Sequence, residues 1–199
     1  PVDLTKLLSI AEVWIVCPLL TAGMAFLFYR LFAFYLRKVK SPELWDKILR
    51  ILLIFSAAYV AFSLGANDVG NAVGPISNLG RIPPIWLALL GSVALATGAI
   101  TFGHRVTETV GGGITSLDPL SAFSAQLSAA LAVHFFSILG VPVSTSQSVV
   151  GAVVGVGLVN GLSAIRGRQV IEIVAGWVAT PLTGGVVSFL LYKLVTLVL

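Results

Sequence analysis

Charge is scarce in this sequence: Lys and Arg number 12 and Asp and Glu 8 among 199 residues, a charged fraction of 10%. Soluble domains carry about 25%, so the chain lacks the groups needed to cover a water-facing surface. Cysteine occurs once, at Cys17 in an apolar run, which excludes an internal disulfide or a cysteine metal cluster and leaves packing as its role. The two histidines, His104 and His134, lie far apart in sequence. No HExxH, GxSxG or phosphate-loop motif is present, so no enzyme active site is legible. The basic excess of +4 sits in short connecting loops rather than along one stripe, which argues against a nucleic-acid partner. No cleavable signal peptide, soluble linker or low-complexity tract is visible. The sequence begins at Pro1 rather than Met, which suggests a fragment or a trimmed chain.

What fills the sequence instead is apolar: 57% hydrophobic residues and a mean hydropathy of +1.02. Several runs approach the ~20 residues that cross a bilayer. The expected fold is an all-α membrane protein, a single membrane domain over 1–199 with about four to six membrane segments. The first span is expected at 13–36, and a second apolar run at 48–64 ends abruptly in glycines, giving a broken helix over 48–79. A third span follows at 84–103, then a polar, glycine-rich stretch to Asp118 read as a connection. Two apolar runs within 119–162 flank a polar turn and read as a helical hairpin, either re-entrant or made of two full spans. A last span covers 170–198, with Pro181 and Gly184-Gly185 inside it. The excess of Lys and Arg in short loops orients the chain. Arg37, Lys38, Lys40, Lys47, Arg50, Arg105, Arg166 and Arg168 fall on the expected cytoplasmic side, and Lys6, Arg81 and Lys193 opposite. A multi-pass protein of the cell membrane is implied.

Two interruptions carry chemistry. The first is Gly65-Ala66-Asn67-Asp68-Val69-Gly70-Asn71-Ala72-Val73-Gly74-Pro75. An ionised Asp at membrane depth is expensive, so such residues usually face a cavity and mark an ion pathway. Flanking glycines let a helix unwind and free carbonyls. Asn67, Asp68 and Asn71 would then offer the amide and carboxylate oxygens that a hard cation such as Na⁺ favours. A helix merely ending at the interface is the plainer alternative. The second interruption is Val141-Pro142-Val143-Ser144-Thr145-Ser146-Gln147-Ser148. Hydroxyls beside the free N–H groups of a helix start make an anion cradle suited to phosphate or sulfate; an interfacial loop with a Ser/Thr cap is the alternative. Gln126 lies inside an apolar run and either faces the site or bridges helices. His134 reads as a packing residue. Arg105 and Glu108, with His104, read as a local ion-pair network or a gate. Gly151 and Gly155 form a small-xxx-small face for close helix packing.

These interruptions resemble the inorganic phosphate transporter family. The 65–75 stretch is similar to that family's duplicated motif almost residue for residue, and Arg105 to Gly111, Phe123 to Ala129 and Val141 to Ser146 resemble its other motifs in the same order. The resemblance implies a symporter moving phosphate with Na⁺ or H⁺, built from two inverted-topology repeats, each with a re-entrant hairpin. One motif copy is present, and its Gly-Pro ending resembles the second, so the chain is similar to the C-terminal repeat. Carried over, phosphate would be bound by Asn67, Asn71, Ser144, Thr145 and Ser146. The cation would be held by Asn67, Asp68, Gln126 and Ser144, with Na⁺ at Asp68, and Arg105, Glu108 and Gln147 would gate or support. Relatives often have His where this chain has Leu64 and Gln147, and Ala or Ser where it has Gly70, which favours Na⁺ over H⁺ as coupling ion. No cofactor is expected. The expected partners are inorganic phosphate, Na⁺, the N-terminal repeat, the lipid bilayer and a second copy in a homodimer. A sulfate permease of the same scaffold, a channel-like pore and a non-transporting assembly subunit are the alternatives.

Overall fold

The computed structural model describes residues 4–77, 80 and 82–198. Arg81, the last two residues of the expected 48–79 segment and the Lys6 side chain lie outside the described residues. Among them are six α-helices and no strand: α1 (Leu4–Leu36), α2 (Pro42–Ser77), α3 (Pro84–Gly113), α4 (Pro119–Ile138), α5 (Thr145–Val159) and α6 (Gly167–Val198), with a 3₁₀ turn at Leu162–Ala164. Five of them, all but α5, are long and apolar enough to cross a membrane, so the chain is a multi-pass membrane protein. The 15 residues of α5 rise only about 22 Å.

The helices start where the sequence supplies caps. Ser41 accepts the Leu44 N–H at 3.3 Å ahead of Pro42, so α2 begins before the apolar run at Ile48. Asp118 caps α4 by accepting the Ser121 N–H at 2.7 Å, with Pro119 at the first helical position. Replacing Asp118 with Ala should destabilise the protein by about 1 kcal/mol, seen as a lowered melting temperature with unchanged helicity. An unshifted melt would show that the cap contributes nothing.

Two expectations need correction. First, α2 is not broken: it runs through Gly65, Gly70, Gly74 and Pro75 to Ser77 as one helix. Each glycine weakens a helix by only about 1 kcal/mol, and α2 packs against α4. Pro75 lies in the last turn, where its missing N–H leaves the Asn71 carbonyl without its helical donor and needs no unwinding. Second, the stretch after Gly103 is not a connection, because α3 continues to Gly113. Its hydroxyls turn back on their own helix, Thr107 donating to the Gly103 carbonyl and Thr109 to that of Arg105.

Residues 1–165 form one compact unit. Within it the α4–α5 hairpin is held between α1 and α2. The approach to α1 is very close. A Cβ at Gly151 would collide with the Pro18 carbonyl and one at Gly155 with the Ala22 backbone, as the small-xxx-small spacing implied. Ser128 donates to the Thr21 carbonyl at 2.7 Å across the α1–α4 face. Buried residues of α2 recur at Leu49, Ser56, Ser63 and Asn67, one stripe facing α4. Leu36, Leu49, Leu120 and Phe123 close one end of this interior, with Phe32 and Phe123 edge to face at 4.9 Å. Cys17, Ala132, Val133 and Val143 fill the other end, beside the hairpin tip, so Cys17 has the packing role expected of it. α3 leans on α2 at Gly91, where a Cβ would meet Val73 at 2.8 Å. The second unit, 166–199, contains α6, continuous through Pro181 and carrying an Arg168–Glu172 ion pair at 2.9 Å.

Candidate functional site

The hairpin tip is shaped by a glycine and a serine. α4 ends in a Schellman motif: Val141 N–H bonds the Phe136 carbonyl at 3.0 Å and Gly140 N–H that of Ser137 at 3.1 Å. That closure requires Gly140 at φ +70, a conformation side-chained residues rarely adopt. The chain then passes through Pro142 and Val143, and Ser144 caps α5 by accepting the Gln147 N–H at 3.3 Å. The Ser144 cap is thus also the edge of the polar cluster. The Ser144 and Ser146 hydroxyls lie 3.1 Å apart. The N–H groups of Thr145 and Ser146, in the first turn, have no intrahelical acceptor.

The tip meets α2 at Asn67 and Asp68. Buried Asn67 donates through Nδ2 to the Val143 carbonyl at 3.1 Å and to Asp68 Oδ1 at 3.0 Å. Its Oδ1 accepts from Ser137 at a long 3.5 Å. Asp68 Oδ2 accepts from the Thr145 hydroxyl at 3.3 Å. The carboxylate is thus stabilised by an amide and a hydroxyl, with no cationic side chain paired to it among the described residues, and it stays half-buried with lone pairs to spare. One Asn67 N–H holds the tip at Val143 and the other holds Asp68, and its carbonyl oxygen keeps a lone pair beyond the long Ser137 contact. Asn71 follows one turn on and is exposed, as is Ser146. Gln147 Oε1 is buried in the first turn of α5 with no donor among the described residues.

The other sequence candidates lie elsewhere. Gln126 is not brought to Asp68. It accepts from Ser56 at 2.7 Å, and Ser56 lies about 16 Å below Asn67 along α2, so Gln126 bridges helices rather than lining this site. His134 is a packing residue: its Nδ1 and the Tyr59 hydroxyl are hydrogen-bonded at 2.8 Å, and its ring meets Phe62 edge-on. Arg105 and Glu108 are exposed on α3, where His104 and Glu108 pair at 3.6 Å. Sequence reasoning missed Ser137 and the Val143 carbonyl. The available signal was position: both flank the Gly140-Val141-Pro142 turn that aims the tip. Among the described residues no three of His, Cys, Asp or Glu gather to hold a metal ion. The donors here are carboxylate, amide, hydroxyl and carbonyl oxygens, a set suited to a hard, weakly held cation.

The profile of the phosphate transporter family matches residues 36–188. Among curated proteins, the chain is 38% identical over 164 residues to the "Putative phosphate permease" of Pyrococcus horikoshii, covering 77% of this chain and 40% of that one. It is 35% identical over 183 residues to a protein described in the same words from Methanocaldococcus jannaschii, covering 92% and 58%. A solved structure, the sodium-dependent phosphate transporter, superposes with a TM-score of 0.74 at 26% identity, over 87% of this chain and 62% of that chain. The chain therefore spans about two fifths of the length of the first of these relatives.

Proposed function

The chain belongs to the phosphate transporter family, and from that premise we propose that it carries inorganic phosphate across the membrane by symport with Na⁺. The observation that supports this reading is the joining of Asp68 on α2 to Thr145 at the hairpin tip. It sets a carboxylate beside a helix N-terminus rich in hydroxyls. Asp68, the Asn67 carbonyl oxygen and the orphaned Gln147 Oε1 suit a cation. The Ser144 to Ser146 hydroxyls, the first N–H groups of α5 and the exposed Asn71 amide suit phosphate.

Coupling follows from placing the two charges side by side. Bringing phosphate against an ionised Asp68 is repulsive until Na⁺ intervenes, and each ion raises the other's affinity by the same factor. The role is transport rather than covalent chemistry, with phosphate and Na⁺ as cargo. A second, inverted repeat would complete the site on the open side of α2 and let the two halves rock around it. A homodimer in the cell membrane is part of the same reading.

The test is phosphate uptake into proteoliposomes. An inward Na⁺ gradient should raise the initial rate about tenfold over a choline control, with a pH gradient alone giving no stimulation. Uptake independent of any cation gradient would make the protein a pore, and stimulation by pH alone would make the coupling ion H⁺. Sulfate in excess should leave the rate unchanged; competition would move the substrate class.

A further inference from the structure

At the end of α1 opposite the hairpin tip stand two arginines, Arg30 in the helix and Arg37 just past it, seven residues apart. Between them α1 borders a cavity of about 510 Å³ whose wall includes Phe26, Phe34 and, from the end of α5, Val159. No carboxylate lines it. Asp46 and Asp118 face an adjoining cavity of about 380 Å³, which also touches Arg37. There Asp118 already accepts the Ser121 N–H, and Tyr29 lines the same cavity. Among the described residues neither guanidinium is within ion-pair distance of a carboxylate. Arg30 is seated over the Phe26 ring at 5.5 Å, and Lys38 over Phe34 at 4.8 Å.

Two forked cations with no carboxylate at ion-pair distance match the oxygens of a phosphate group bidentately. A free anion would have no use for the aromatic and aliphatic wall beside them. The location is also that of lipid headgroups: the end of a membrane-crossing helix, next to a loop bearing Lys38 and Lys40 and the first turns of α2 bearing Lys47 and Arg50. It is remote from the transport site, since Arg30 lies about 20 Å along α1 from Cys17, which bonds Ser148 near the tip. We propose that this cavity binds an anionic phospholipid, its phosphodiester between Arg30 and Arg37 and an acyl chain along Phe26, Phe34 and Val159.

The test reconstitutes the purified protein in vesicles of equal phosphatidylglycerol and phosphatidylcholine, extracts it in mild detergent and counts retained lipid by mass spectrometry. The wild type should retain phosphatidylglycerol about tenfold over phosphatidylcholine. The Arg30→Gln/Arg37→Gln pair should bring the ratio to parity with helicity unchanged by circular dichroism. Equal retention of the two lipids by the wild type would overturn the proposal whatever the variant does. So would a variant that keeps the preference, or displacement of the lipid by millimolar inorganic phosphate, which would make the cavity a free-anion site.

Discussion

Replacing Asp68 with Asn is expected to lower Na⁺-driven phosphate uptake about 100-fold, with the helices still assembled. Asn is isosteric with Asp: its Oδ1 can accept the Asn67 amide at the Oδ1 position and its Nδ2 can donate to the Thr145 hydroxyl, which lies 3.3 Å from Asp68 Oδ2. What vanishes is the charge, and with it the reason for a cation to enter before phosphate. The signature is therefore a loss of Na⁺ stimulation rather than a general fall in stability. Uptake would be measured in proteoliposomes against a Na⁺ gradient, with the melting temperature of the variant as control. Wild-type Na⁺ dependence in the Asn variant would remove Asp68 from the site and leave its bonds to Asn67 and Thr145 as structural ones.

The Gly155→Val substitution is expected to have the largest effect on stability. A Cβ there runs into the carbonyl carbon, oxygen and Cα of Ala22, and backbone cannot step aside as a flexible side chain can. The α1–α5 contact would have to open along its length, costing about 3 kcal/mol at the upper end of overpacking penalties. Gly70 is the control within the same chain, because a Cβ there meets nothing within 4 Å. Gly70→Ala should leave the melt unchanged or raise it slightly, since Ala favours a helix over Gly by up to about 1 kcal/mol. Thermal unfolding in detergent compares the two. Equal melting temperatures would mean that α1 and α5 are not in such close contact.

The two glycine sets explain how much could be read beforehand. Gly151 and Gly155 repeat at one helical face in an apolar run, a pattern whose commonest cause is close packing, and the structure has that contact. Gly65, Gly70 and Gly74 suggested an unwound helix, yet α2 passes through them intact. Local propensity misled here because α4, distant in sequence, packs on the Ser56, Ser63 and Asn67 stripe of a continuous α2. The same long-range packing decided Gln126. A polar residue in an apolar run marks a need for a partner, and only the fold showed that the partner is Ser56 rather than the Asp68 site.

By itself the sequence determined that this is a multi-pass all-α membrane protein, because 10% charge cannot cover a soluble surface and the apolar runs match a bilayer's thickness. It also singled out Asn67, Asp68 and the Ser144 to Ser146 cluster as polar groups costly to leave in hydrocarbon, with placement at the interface as the alternative. Only the tertiary structure decided how those residues meet. The Val143 carbonyl and Ser137 hold Asn67, and Thr145 reaches Asp68, through contacts between segments some seventy residues apart. Such contacts follow from how the hairpin packs between α1 and α2, with close backbone approach at Gly151 and Gly155 and a turn at Gly140, not from any one stretch of sequence.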